Sequence, residues 1–188
     1  MTKRPAPPIG DSTQAYKDIR AAVEPILLGD MLVIDPSVGS DSSMPGYALY
    51  EAGVFKEKGT IEIESVGERP AVRLTELGKC LREDFATPDV LVIEKISAKS
   101  WDRRRGASGH ASLLKSVGTI LGTHDWPAIV EIPPRQWSFI RDEHYVKGDA
   151  NDAEYMGKAV IAVAEYLREY GRGIGKRLDE WEQGGKDA

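Results

Sequence analysis

The sequence predicts an α/β fold: one mixed sheet, in which an antiparallel hairpin joins parallel strands, with helices on its faces. Three observations predict it. The runs Met31-Leu32-Val33-Ile34 and Val90-Leu91-Val92-Ile93 are continuously apolar, the pattern of strands buried on both faces. Residues 108–123 and 152–170 carry apolar side chains at helical spacing instead. The resulting order is three strands, then helix, strand, helix, strand, helix, which describes a sheet whose later strands are parallel. A length of 188 residues fits one compact unit.

Each element has its own local signal. Residues 1–10 hold three prolines and read as a flexible arm. Asp11 or Ser12 caps a short helix running to about Leu27, with Tyr16, Ile19, Ala22 and Val23 on one face. The first apolar strand ends at Asp35, and the Ser-, Gly-, Asp- and Pro-rich stretch 36–46 is a loop. Residues 47–55 and 59–65 read as hairpin arms around a Lys56-Glu57-Lys58-Gly59 turn. A helix over 74–85 leads to the second apolar strand, which ends at Glu94. A basic loop, 97–107, precedes the helix 108–123, with Leu113, Leu114, Val117, Ile120 and Leu121 at helical spacing. Ile129-Val130-Glu131-Ile132 is a short strand stopped by Pro133-Pro134. The helix 152–170 turns Met156, Val160, Val163, Ala164 and Leu167 inward. The chain thus divides into an arm and short helix (1–29), a central domain (30–170) and a helical or flexible tail (171–188).

Composition excludes several classes. A chain 41% hydrophobic and 29% charged is ordinary globular material, not a disordered one. The single cysteine, Cys80, excludes an internal disulfide and a thiolate zinc cluster, and reads as a small core or boundary residue. No run approaches the roughly 20 apolar residues of a membrane span, and the start MTKRPAPPIG lacks the apolar segment of a secretory signal. A cytoplasmic protein without membrane contact is expected. The net charge of −5 argues mildly against a nucleic-acid binder, although an acid cluster that holds cations carries such a charge too. His110, His124 and His144 show no metal spacing, and Ser37 no nucleophile elbow. Gly171-Arg172-Gly173-Ile174-Gly175-Lys176 follows a helix rather than a strand, which excludes a phosphate loop.

The acids at the strand ends carry the chemistry. Each of two apolar strands delivers one carboxylate at its C-terminal end, Asp35 and Glu94, where open α/β sheets bind ligands. If these strands are neighbours, the two acids face each other across about 5 Å. Their repulsion is relieved by a divalent cation, and oxygen-only donors select Mg²⁺ or Mn²⁺. Asp149 and Asp152 share one face of a helix's first turn, where the helix dipole favours acids. The plainer reading of Asp149 is a helix cap.

These stretches resemble the RuvC-type Holliday-junction resolvases of the ribonuclease H-like, retroviral-integrase superfamily. The resemblance rests on MLVIDPS (31–37), GYALYE (46–51), PDVLVIEKI (88–96), GHASLLKSVGTIL (109–121), PAIVEIPPRQW (127–137) and KGDANDAEYMGKAVIAVA (147–164), in the family's order over roughly residues 30–168. It implies a ribonuclease H-like fold and a metal-dependent endonuclease that resolves branched DNA with two ions per active site, held by Asp35, Glu94, Asp149 and Asp152. Asp35 would bridge both ions, and Lys147 is a candidate assisting group. It also implies a homodimer, whose twofold symmetry matches two symmetric nicks in a four-way junction. The loop after Asp35 is longer than the family's, and the segment between Pro134 and Asp149 is shorter, as phage-encoded members vary.

Next to Glu94 the chain is locally basic. Lys95, Lys99, Arg103, Arg104, Arg105 and Lys115 are candidates to neutralise DNA phosphates, Trp101 to stack on an unpaired base, and Arg135 to touch the backbone. A solvated basic loop is the plain alternative, and Trp137 reads as a packing residue. The alternatives to a junction resolvase are a related nuclease acting on flaps, forks or RNA–DNA hybrid, and a non-catalytic junction-binding adaptor.

Overall fold

The computed structural model describes residues 5–36, 44–64, 69–96, 106–171 and 174. Five strands form one sheet in the order β3-β2-β1-β4-β5: β1 (Asp30–Asp35), β2 (Gly46–Glu51), β3 (Val54–Thr60), β4 (Val90–Glu94) and β5 (Ala128–Ile132). β1, β2 and β3 pair antiparallel, while β1, β4 and β5 pair parallel. The predicted mixed α/β sheet is therefore present, in an arrangement consistent with a ribonuclease H-like fold.

Helices cover both faces. On one lie α1 (Gln14–Ala21), α2 (Val23–Leu28) and α6 (Asp149–Tyr170), packed on Met31, Val33, Val90, Val92, Val130 and Ile132. On the other lie α3 (Pro70–Asp84) and α4 (Gly106–Leu121), packed on Leu32, Ile34, Leu91 and Ile93. The unbroken apolar runs exist because each strand must satisfy both layers. Met156, Val160, Val163, Ala164 and Leu167 of α6 are fully buried. Each large apolar side chain buried in this way contributes about 1.5–3 kcal/mol. The N-terminal segment belongs to this layer: Ile9 is buried there, and the Tyr166 hydroxyl donates to the Pro5 carbonyl at 2.9 Å.

Several boundaries differ from the sequence expectation. The first helix is capped by Thr13, not Asp11 or Ser12, and breaks at Ala22. Pro25 explains the break, since it has no N–H to donate and its ring clashes with the preceding turn. The hairpin turn is Ala52-Gly53, both at positive φ (48° and 74°), and the Lys56–Gly59 stretch lies within β3. Two adjacent left-handed residues match the twist of a two-residue hairpin, and charged residues are tolerated in β3 because it is the exposed edge. Ile61 and Ile63 alternate inward, but into the second core rather than along a strand. α3 begins at Pro70, where proline at the first position leaves no donor unsatisfied. Leu114 faces solvent, whereas Leu113 and Ile120 are buried. A short helix α5 (Pro134–Trp137) and a 3₁₀ turn (Ser138–Ile140) follow β5, and α6 starts three residues earlier than expected. Among the described residues no helix is long and apolar enough to cross a membrane.

Candidate functional site at the carboxyl edge of the sheet

β1 and β4 are parallel neighbours, with Ile34 opposite Ile93. One step further along each strand stand Asp35 and Glu94. Strand alternation sends Leu32, Ile34, Leu91 and Ile93 to the α3/α4 face. Asp35 and Glu94 therefore fall on the opposite face, under α6. Asp35 is buried, 8% exposed.

A glycine brings α6 to this corner. Asp35 pairs with Gly46 across the ladder, and a Cβ on Gly46 would run into the Asp149 and Ala150 backbone. Only glycine lets the helix start lie so close. A second close approach, Gly157 against the Tyr50 ring, holds the helix further along. The Tyr50 hydroxyl donates to the Glu154 carbonyl at 2.5 Å, and Lys58 of β3 reaches the Glu154 carboxylate at 2.5 Å and Asn151 at 2.6 Å. Lys158 holds the other Glu154 oxygen at 2.5 Å. Burial opposes ionisation of Glu154, but the hydrogen bonds from Lys158 and Lys58 outweigh it and keep its carboxyl below the usual range.

The cap of α6 is Gly148, and Asp149 opens the first turn. Asp149 is thus not the helix cap that the plainer sequence reading allows. Asp152 lies in the same turn and is held by a group that sequence reasoning missed. The Tyr145 hydroxyl hydrogen-bonds to Asp152 Oδ1, and Arg141 Nη2 lies 3.5 Å from the same oxygen. The Arg141 guanidinium lies over the rings of Trp137, at 4.4 Å, and Tyr145, at 4.3 Å. Trp137 is buried, as a packing residue should be. Tyr145 meets Tyr155 edge-on, and Tyr155 donates to Asp142 at 2.6 Å. Burial, then the bond to Asp152, and further the Asp35 charge, push the Tyr145 hydroxyl up to about 12. It therefore stays protonated and donating. A hint was present in the sequence: Trp137, Arg141 and Tyr145 are four apart, but the chain there is not one helix, so spacing alone does not join them.

The residue types suit a hard divalent ion. Their arrangement does not enclose one, because among the described residues no three His, Cys, Asp or Glu stand together as a metal group. Asp152 is instead engaged by Tyr145 and Arg141. Lys95 pairs with Glu131 at 3.4 Å on the surface, a contact worth about 0–1 kcal/mol that leaves it available to a phosphate. Lys115, Arg135 and Lys147 are exposed. Lys99, Trp101, Arg103, Arg104 and Arg105 lie outside the described residues. A cleft of about 330 Å³, lined by Asp30, Leu49, Glu51, Asp84 and Phe85 among others, opens at the far end of β1, about 17 Å along the strand from Asp35. No protein-family model and no curated protein matches the chain.

Proposed function

We propose that this protein is a divalent-metal-dependent endonuclease acting on branched DNA, four-way junctions first, as a cytoplasmic homodimer. The observation that carries the reading is convergence. Asp35 and Glu94 end neighbouring parallel strands, the first turn of α6 lies against Gly46, the ladder partner of Asp35, and Asp35 itself is buried. A carboxylate withdrawn from water needs donors or cations to offset its charge. Asp35, Glu94 and Asp149 are the acids we assign to Mg²⁺ or Mn²⁺, with Asp152 beside them. Lys147 and Arg135, both exposed, and the basic stretch that follows Glu94 supply phosphate contacts.

A second reading, a non-catalytic junction binder, is favoured by one observation: Asp152 is occupied by Arg141 and Tyr145. A gel assay separates the two. End-labelled four-way junction and linear duplex are incubated with the protein in Mg²⁺ or in EDTA, alongside Glu94→Gln. Paired nicks confined to the junction, lost in EDTA and in the variant, are the expected result. Tight junction binding without nicks in Mg²⁺ or Mn²⁺ favours the binder, and nicking unchanged in Glu94→Gln overturns the assignment.

A further inference from the structure

The cleft at the far end of β1 has two parts of opposite character. Its floor is apolar: Leu32 and Pro88 are buried, and Leu49 and Phe85 are half-buried. The Phe85 ring meets Tyr47 edge-on, with centroids 5.0 Å apart. Its rim is charged and exposed, with Asp30, Glu51, Glu57 and Asp84 against Lys56, the one cation of the described lining. Lys56 pairs with Glu51 at 2.6 Å, so Asp30, Glu57 and Asp84 are left without a second cation in the lining. Two of these act on the same neighbour. After burial, the charge of Glu57 and its hydrogen bond, then the charge of Asp84, raise the Tyr47 hydroxyl above its ordinary value. Asp84 is the last residue of α3, where the helix dipole opposes an acid, so its carboxylate does not serve the helix. The acids do not converge as metal ligands do, since among the described residues no three His, Cys, Asp or Glu stand together as a metal group. Separate carboxylates round an apolar floor match a cation that carries its charge on an apolar stem. The volume of about 330 Å³ is at the small end for ligand sites and suits one long side chain or a small amine.

We propose that this cleft binds an organic cation, a guanidinium or ammonium group on an aliphatic stem, with the stem against Leu49 and Phe85 and the charge among Asp30, Glu57 and Asp84. The site lies about 17 Å along β1 from Asp35 and is independent of the nuclease reading, whose failure leaves it untouched.

The test is titration of the full chain, followed residue by residue in ¹H–¹⁵N correlation spectra. The probes are a capped peptide with one arginine between glycines, the same peptide with neutral citrulline in its place, agmatine, and the bare guanidinium ion. The arginine peptide or agmatine should shift the amides of 49–51, 57 and 84–87 saturably. The citrulline peptide and the bare ion should bind at least about threefold more weakly, since each lacks the charge or the stem. Asp84→Asn and Glu57→Gln should each weaken binding by about threefold or more, whereas Glu143→Gln, which removes the same charge from an exposed position outside the cleft, should not. Tighter binding of the peptide assigns the cleft to a side chain of a partner protein, and tighter binding of agmatine assigns it to a free amine. The absence of saturable shifts at these amides overturns the site, as does equal binding of the arginine and citrulline peptides, or equal weakening in Glu143→Gln. If thermal melting shows Glu57→Gln to be unfolded, Asp84→Asn alone decides.

Discussion

The same two strands carry an acid at each end, and the two ends behave differently. Asp30 and Asp89 stand one residue before the paired Met31 and Val90, whereas Asp35 and Glu94 stand one residue after the paired Ile34 and Ile93. At the first edge both acids are exposed, and Asp89 Oδ2 accepts the Asp30 backbone N–H at 2.9 Å. That carboxylate completes the start of the ladder and stays in water. At the second edge Asp35 is buried beneath the first turn of α6, near Asp149 and within the field of Tyr145. A carboxylate taken out of water needs donors or cations to offset its charge. An acid beside an apolar strand is thus not itself a signal. What separates the two edges is that one leaves its acids in water while the other buries Asp35.

The largest expected effect comes from the glycines that shape each edge. Gly46→Val pushes a side chain into the Asp149–Ala150 backbone, which cannot swing aside. We expect a loss of about 3 kcal/mol or more in urea denaturation, together with loss of any DNA cleavage. Gly29→Ala at the other edge meets first the movable carboxylate of Asp89 and should cost about 1 kcal/mol. Equal costs at the two glycines would break the contrast. Next in size is the chemistry. Asp35→Asn should lower junction cleavage at least about 100-fold while Asp30→Asn leaves it unchanged, in matched single-turnover gels. Cleavage equally sensitive to both would mean that burial does not distinguish the edges.

The anchor of α6 sharpens the comparison through pH. Glu154 titrates below its ordinary value in the folded protein, so its contribution is complete above the unfolded-state value of about 4.3 and fades as the pH falls through the lower folded-state value. Glu154→Gln should therefore cost about 1.5–3 kcal/mol at neutral pH, with the gap to the native protein closing on acidification. A gap that persists well below the ordinary carboxylate range would show packing, not charge, to be the cause. Smallest is Asp89→Ala, which removes one exposed hydrogen bond. It should cost about 0.5–1.5 kcal/mol and leave cleavage untouched.

Much of the sheet was legible from local pattern. The runs at 31–34 and 90–93 must be apolar on both sides, since helices cover both faces, and no other element tolerates that pattern over so short a length. The hairpin turn was misread because Lys56-Glu57-Lys58-Gly59 has turn-like composition, yet an exposed edge strand accepts charge while Ala52-Gly53 adopts the left-handed geometry. In the site, Asp35 and Glu94 were readable as strand-end acids. The Arg141 stack was not, because Trp137 ends a short helix, Arg141 follows a 3₁₀ turn and Tyr145 lies in a loop, so their spacing of four is not that of one helix.

The sequence by itself determined the two central strands, the inward face of α6, and which acids stand at strand ends. These follow from near-neighbour chemistry: apolar periodicity, proline, and caps. Only the tertiary structure decided that β1 and β4 are neighbours, that Gly46 admits the start of α6 against Asp35, and that Asp152 is held by Arg141 and Tyr145. Those relations join residues up to a hundred or more positions apart in the chain, and they arise from how whole elements pack, which no local pattern of side chains encodes.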